Sequence, residues 1–272
     1  MKQLLTVANK EFHDGLRNRW LVSITLIFAL LSIGLTYFGA AASGAVGVTS
    51  LATTIASLAS LAVFLIPLIA LLLSYDSFVG EQESGTLLLL LTYPLSKSQL
   101  LLGKFIGQGG IIALATLLGF GASAVLLYFQ LGDTDIFNAF ALFIVSAVLL
   151  GLSFTAIAYL ISLSVSEKSK AAGFALIIWF LFALAFDLAL LALLVGVEEG
   201  VTQQGLTQLM MLNPTDIFRL VNLTGLESSD VNGALSAALN ASLSITQLIS
   251  ALVAWVVLPL VLAIVIFKKK KL

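Results

Sequence analysis

The chain has no cysteine among its 272 residues. Disulfides, thiolate metal sites and thiol nucleophiles are therefore excluded within it. Histidine occurs once, as His13, which leaves little for acid–base chemistry. No Ser–His–Asp set or paired-carboxylate constellation is identifiable. A Walker A sequence is missing too: Gly103-Lys104 is followed by Phe105 and lacks the phosphate-cradling spacing. Any ATP hydrolysis must come from a separate chain. Charge is scarce, at 10% of residues, where soluble domains carry about a quarter.

What the chain has is apolar length. Hydrophobic residues make up 60% of it, and glycine, alanine and serine are plentiful, as expected where helices pack closely in lipid. A membrane-spanning helix needs about 20 mostly apolar residues. Six stretches meet that length: 20–41, 51–75, 101–129, 137–163, 171–197 and 248–267. The reading is an all-α integral membrane protein with six transmembrane helices. Pro67 and Pro259 should kink the second and sixth or open their ladders locally. Ala40-Ala41-Ala42 resembles a signal cleavage site, but the segment before the first run is too long and carries Glu11 and Asp14, so an uncleaved span is expected.

Orientation follows from the lysines and arginines. Twelve of the thirteen lie at the N-terminus, in the 76–100 connection and its exit, between spans four and five, or at the C-terminus. The exception is Arg219. That places both termini in the cytoplasm. The other side is acidic, with Asp133, Asp135, Glu198, Glu199, Asp216, Glu227 and Asp230.

Three segments lie outside the spans. Residues 2–19 place Leu5, Ala8, Phe12 and Leu16 on one helical face, which predicts an amphipathic interfacial helix ended by Trp20. It is either a simple anchor or a lever touching a cytoplasmic partner. The 76–100 connection reads DSFVGEQESGTLLLLLTYPLSKSQL, in which Leu87–Leu91 are too few to span and too apolar for water. Ser96 is placed to cap the following helix. The connection is either an interfacial re-entrant helix or an element docked into another protein. The 198–246 segment forms a helical cap on the outer side. Asn213 caps a first helix, with Pro214 at its first position and Asp216 in its first turn. A second helix is expected after Ser229, with Val231, Ala234, Leu235, Ala238 and Leu239 on one face. The cap either covers span ends or meets a partner.

The stretch GEQESGTLLLLLTYPLSKSQLLLGK resembles the signature of type-2 ABC exporter permeases. There an acidic residue precedes Gly-Thr-Leu, followed by leucines, a proline, a serine and a Gly-Lys pair, here Glu83, Gly85, Thr86, Leu87, Pro94, Ser96, Gly103 and Lys104. FHDGLRNRW, TSLATTIASLASLAVFLIPLIALLLSYD and NPTDIFRLVNL are similar to one branch of that family, which serves the maturation of nitrous oxide reductase. The resemblance implies a homodimer with a cytoplasmic ATPase subunit on each copy. It makes Glu81, Glu83, Gly85, Thr86, Leu87, Pro94 and Lys97 the ATPase-coupling interface. It also implies a periplasmic copper-handling protein on the outer cap, where Asn213, Pro214, Asp216, Phe218 and Arg219 are contact candidates. The chain itself would bind no cofactor, and its partner would use the ATP.

Asp187 lies deep in the fifth apolar stretch, where a charged Asp costs about 2.5–3.5 kcal/mol on insertion scales. It either faces a cavity or partner helix with a functional role, or is a hydrogen-bonded packing residue. Met210 and Met211 could offer soft thioethers to Cu(I). Neighbours on a short helix point apart, however, and packing is the simpler role. Three functions stay open: a permease powered by a separate ATPase, a relay of motion that moves no solute, and a stand-alone secondary transporter.

Overall fold

The computed structural model describes residues 2–38, 50–196, 203–224 and 243–270. Every regular element among them is helical. In order these are α1 (Lys2–Arg17), α2 (Trp20–Phe38), α3 (Leu51–Ser74), α4 (Val79–Glu83), α5 (Thr86–Thr92), α6 (Lys97–Leu131) and α7 (Asp135–Ser164). Next come α8 (Lys168–Phe180), a π-helical turn (Leu181–Ala185) and α9 (Phe186–Gly196), then α10 (Gln203–Met210), α11 (Pro214–Leu223) and α12 (Ile245–Lys269). Six helices are long and apolar enough to cross a membrane: α2, α3, α6, α7, the continuous α8–α9 and α12.

Local chemistry sets the helix starts. Ser96 and Ser244 each complete a capping box, with Gln99 and Gln247 as the reciprocal partners. Ser50 accepts the amide of Thr53, and Asn213 that of Thr215. Pro67 and Pro259 lie inside continuous helices. Beside the first, the Trp179 indole N–H donates to the Phe64 carbonyl at 2.9 Å. A carbonyl of the ladder near Pro67 therefore gains a donor from the neighbouring span.

α7 lies at the centre of the bundle, packed against α3, α6, α11 and α12. A run of aromatic contacts crosses the core through it. Phe28 of α2 stacks on Phe120 of α6 at 4.8 Å between ring centroids, Phe120 meets Phe143 of α7 at 5.0 Å, and Phe143 meets Phe218 of α11 at 5.6 Å. Lipid tails are as apolar as these rings, so the gain is close packing rather than escape from water. Gly119 allows the α2–α6 approach, because a Cβ there would collide with Phe28.

Two expectations change. The buried face of α1 matches only half of the one its apolar periodicity suggests, since Ala8 and Phe12 pack inward but Leu5 and Leu16 do not. Val7, Ala8 and Gly15 are buried, while Leu5 and Leu16 are exposed. The reason lies on α6, where Gly103 and Gly107 reduce the surface to backbone. A Cβ at Gly103 would stand 2.6 Å from Val7 Cβ, and one at Gly107 only 2.7 Å from the Ala8 carbonyl. α1 therefore docks against α6 along a glycine stripe.

The second change concerns the 198–246 segment. Its α11 is not a cap over the span ends. Nine of its ten residues are buried, wedged among α3, α7 and α12. Asn222 donates to Ser146 Oγ at 3.0 Å. Ser146 lies eleven residues inside α7 from Asp135, about 16 Å along the axis at 1.5 Å per residue. The helix expected after Ser229 falls outside the described residues.

Candidate functional site

At the lysine-rich end of the bundle, α1, the 76–100 connection and the ends of α6, α7, α8 and α12 converge. Lys104 of α6 is 3% exposed, and an unpaired ammonium there would be costly. It donates to Glu81 at 2.7 Å and to Glu11 at 2.8 Å. One buried cation thus ties α4 and α1 to the same helix. One turn further along α6, Gln108 donates to Ser77 at 2.8 Å and accepts from Ser74 at 2.8 Å and from Tyr159 at 2.9 Å. Ser162 of α7 accepts the amides of Phe78 and Val79, both at 3.0 Å, which satisfies the otherwise orphan N-terminus of α4.

Glu83 reaches across to accept the Lys168 amide at 2.6 Å, which serves the first turn of α8 from outside that helix. Lys168 in turn pairs with Asp76 at 2.7 Å. Lys97 donates to the Lys270 carbonyl at 2.7 Å, and Lys270 to the Leu163 carbonyl at 2.9 Å. Each ammonium thereby meets the negative end of a helix, α12 and α7 respectively. A polar cleft of about 380 Å³ lies between α1 and the connection, with Lys104, Glu11, Glu81 and Lys168 in its lining.

The expected coupling residues therefore divide into two groups. Glu81, Glu83 and Lys97 are engaged with the bundle and hold the connection in place. Gly85 sits at φ 73°, the left-handed turn between α4 and α5, where glycine is unstrained. Thr86 donates to the Glu81 carbonyl at 3.3 Å across that turn. Leu87 is buried, Pro94 is exposed, and between them Leu88 and Leu89 stand 56% and 65% exposed. The five-leucine run thus has one anchored side and one free side.

At the opposite end, the π turn gives the Phe182 carbonyl two new donors, Asn213 Nδ2 at 3.0 Å and Thr215 Oγ1 at 3.1 Å. Arg219 of α11 donates to Asp187 of α9 at 2.6 Å and to Asp216 at 3.1 Å. Asp216 also accepts from Asn213 at 3.1 Å. Asp187 is therefore not a lone charge. Asn213, Pro214, Asp216 and Phe218 are all buried within this chain, and Arg219 is turned inward to Asp187. Among the described residues they therefore leave little surface for a partner. Met210 is buried among Leu206, Ile217 and Leu220, in keeping with packing, and His13 contacts the Asn9 carbonyl at 2.8 Å.

A six-span helical bundle with an N-terminal helix docked on its third span, and a structured connection between spans two and three, can be compared with known proteins. The sequence model of the family described as "ABC-2 family transporter protein" matches residues 5–272. The "Probable ABC transporter permease protein NosY" of Pseudomonas aeruginosa is 51% identical over 238 residues, which cover 86% of each chain. The protein of the same description from Stutzerimonas stutzeri is 53% identical over 232 residues, 84% of each chain. The chain belongs to the ABC-2 transporter family.

As an ABC-2 permease it is a multi-pass membrane subunit and not itself catalytic. The residues that hold this permease's connection were only partly visible in sequence. In sequence Lys104 is the end of the Gly-Lys pair, and Gly103 and Gly107 are small residues at four-residue spacing. Glu11, Gln108 and Ser162 carried no signal, because each acts on a partner 31 to 93 positions away. Arg219 could have been matched to Asp187 as the one basic residue on the acidic side.

Proposed function

We propose that this chain is the transmembrane permease subunit that couples a separate cytoplasmic ATPase to a periplasmic partner, in the assembly that builds the copper centres of nitrous oxide reductase. Similarity to two NosY permeases supports that setting. The ATPase would be NosF-like and the periplasmic copper-handling protein NosD-like. Two copies of the chain would give twelve spans, and the exposed faces of α8 and α9, including Phe174, Ile177, Leu188 and Leu191, leave apolar surface for lipid or a second copy. The clustered lysines support a cytoplasmic placement of both termini, with α1 along the cytoplasmic interface, and similarity to two bacterial permeases supports the inner membrane.

One observation carries the reading. The α5 helix exposes Leu88 and Leu89, while the connection at its base is held to α6, α8 and α7 through Glu81, Glu83 and the Ser162 hydroxyl, and Leu87 is buried. A rigidly based apolar tip transmits a push; a loose loop would absorb it. The test is copurification with the candidate ATPase subunit. The ATPase that withstands mild washing with the wild-type chain is expected to be lost from Leu88→Asp/Leu89→Asp. Undiminished association in that variant counts against the interface.

A second reading, a relay that moves no solute, draws on α11. It fills the bundle core with Phe218 and ties itself to the fifth span through Arg219 and Asn213. Motion of the spans would then reach the outer side through that helix. Uptake of solute by proteoliposomes holding the ATPase and permease separates permease from relay. The stand-alone transporter is the least supported, because the charge in its fifth span is already paired.

A further inference from the structure

A second cleft, of about 610 Å³, opens at the lysine-rich end between Gln82 of α4, the α7–α8 turn and the end of α12. Lys269, Lys270, Ser164 and Ser166 give it polar groups, and Leu163 and Ile266 give it apolar ones. Its lysines are adjacent and, among the described residues, lack carboxylate partners, whereas most described basic residues elsewhere are paired. Six basic side chains pair with carboxylates: Lys10, Arg17, Lys104, Lys168, Lys170 and Arg219. Lys268, Lys269 and Lys270 have no carboxylate within 4.0 Å among the described residues. Lys97 adds a further positive charge beside them, since its ammonium lies on the Lys270 carbonyl. Burial also pushes the Lys270 ammonium below its ordinary value, a cost that a bound anion would reverse.

The cleft continues into an apolar track. Leu258, Leu262 and Val265 are exposed on α12 at helical spacing, and Lys269 follows on the same face. An apolar stripe that ends in lysines without carboxylate partners at the bilayer edge is complementary to an anionic amphiphile. A basic pocket between spans is where an anionic headgroup is held.

We propose that this cleft binds an anionic phospholipid of the adjoining leaflet, its phosphate on Lys269 and Lys270 and its chains along Leu258, Leu262 and Val265. The proposal rests on the membrane-protein reading and, for the leaflet, on the cytoplasmic placement of the lysines. Because Gln82 belongs to the connection and Lys270 to the end of the sixth span, the lipid bridges the two. The acidic surface of a protein partner is the competing occupant. The lipid is favoured because only an amphiphile uses both the lysines and the apolar track.

Native mass spectrometry of the purified chain, without any ATPase, tests it. The chain is titrated with phosphatidylglycerol and with phosphatidylcholine. Each lysine near an anionic surface contributes roughly a fivefold preference, so the pair gives on the order of thirtyfold. The wild-type chain is expected to retain phosphatidylglycerol selectively. Lys269→Gln/Lys270→Gln is expected to lose the preference, and Lys2→Gln/Arg19→Gln to keep it. Lys269→Arg/Lys270→Arg is expected to retain the lipid, and a thermal melt of each variant shows that the fold persists. Equal retention of the two lipids, undiminished preference in the glutamine pair, or displacement by inorganic phosphate overturns the proposal. So does a glutamine pair that keeps the lipid but loses the copurifying ATPase, which gives the cleft to the partner. Failure of ATPase association with the Leu88 and Leu89 tip leaves this result standing, since no ATPase is present in the titration.

Discussion

The Arg219 guanidinium lies 2.6 Å from the Asp187 carboxylate, which joins the re-entrant α11 to the fifth span just beyond its π turn. Asp216 shares the same guanidinium at 3.1 Å. Two carboxylates and one cation therefore form a single unit, and the three positions are not equivalent. Arg219→Met leaves two carboxylates facing each other without a countercharge, and removal of one member of a buried pair costs on the order of 3–5 kcal/mol. Asp187→Asn keeps an acceptor for the guanidinium and leaves Asp216 as its countercharge. Thermal unfolding in detergent should show a large loss for Arg219→Met and a much smaller one for Asp187→Asn. We expect Asp187→Asn to assemble normally and to impair reductase maturation. Normal levels of active reductase in that variant would remove the functional role of Asp187, and equal melts for the two variants would remove the unit.

Lys104 makes a second prediction. Lys104→Met strands Glu11 and Glu81 at the junction of α1, α4 and α6. α1 should then separate from α6. Hydrogen exchange along α1 reports that contact without adding a side chain to the glycine stripe. Exchange should rise in Lys104→Met and fall back when Glu11→Gln and Glu81→Gln are added. Unaltered exchange in Lys104→Met would mean that glycine packing alone holds α1.

Glycine position makes a third. At Gly107 an added Cβ meets Glu11 Cβ at 2.6 Å and the Ala8 carbonyl at 2.7 Å, so backbone has to move. Overpacking of that kind costs about 1–3 kcal/mol. At Gly121 nothing lies within 4 Å, and alanine there gains up to about 1 kcal/mol from helix propensity. Thermal melts of Gly107→Ala and Gly121→Ala should therefore move in opposite directions. A shared direction would show that α1 is not seated on the stripe.

Ser162→Ala makes a fourth. It deprives the Phe78 and Val79 amides of their acceptor at the start of α4, at a cost of about 1–3 kcal/mol for buried donors. The loss should be local. Hydrogen exchange should rise at Phe78–Glu83, with α7 unchanged. Exchange unaltered across that stretch would show that another acceptor replaces the hydroxyl.

These tests mark where the sequence was readable. Ser96, Asn213 and Pro214 announced their helices because a cap acts on amides two or three residues away. The six spans were visible because insertion in lipid depends on summed hydropathy along one segment. Leu87–Leu91 were recognised as a run that must be shielded, but not which leucines face the bundle.

Amino-acid order alone thus determined the all-helical class, the number of spanning segments and the segregation of the lysines, since each is a property of contiguous residues. Tertiary structure alone decided which face of α1 is buried, that α11 enters the core instead of capping it, and that Glu81 and Asp187 are paired. The reason is physical. An amphipathic pattern says that a face must leave water, but lipid, a neighbouring helix and a glycine stripe all satisfy it. A charge placed in an apolar segment demands a partner without naming one 32 or 23 positions away.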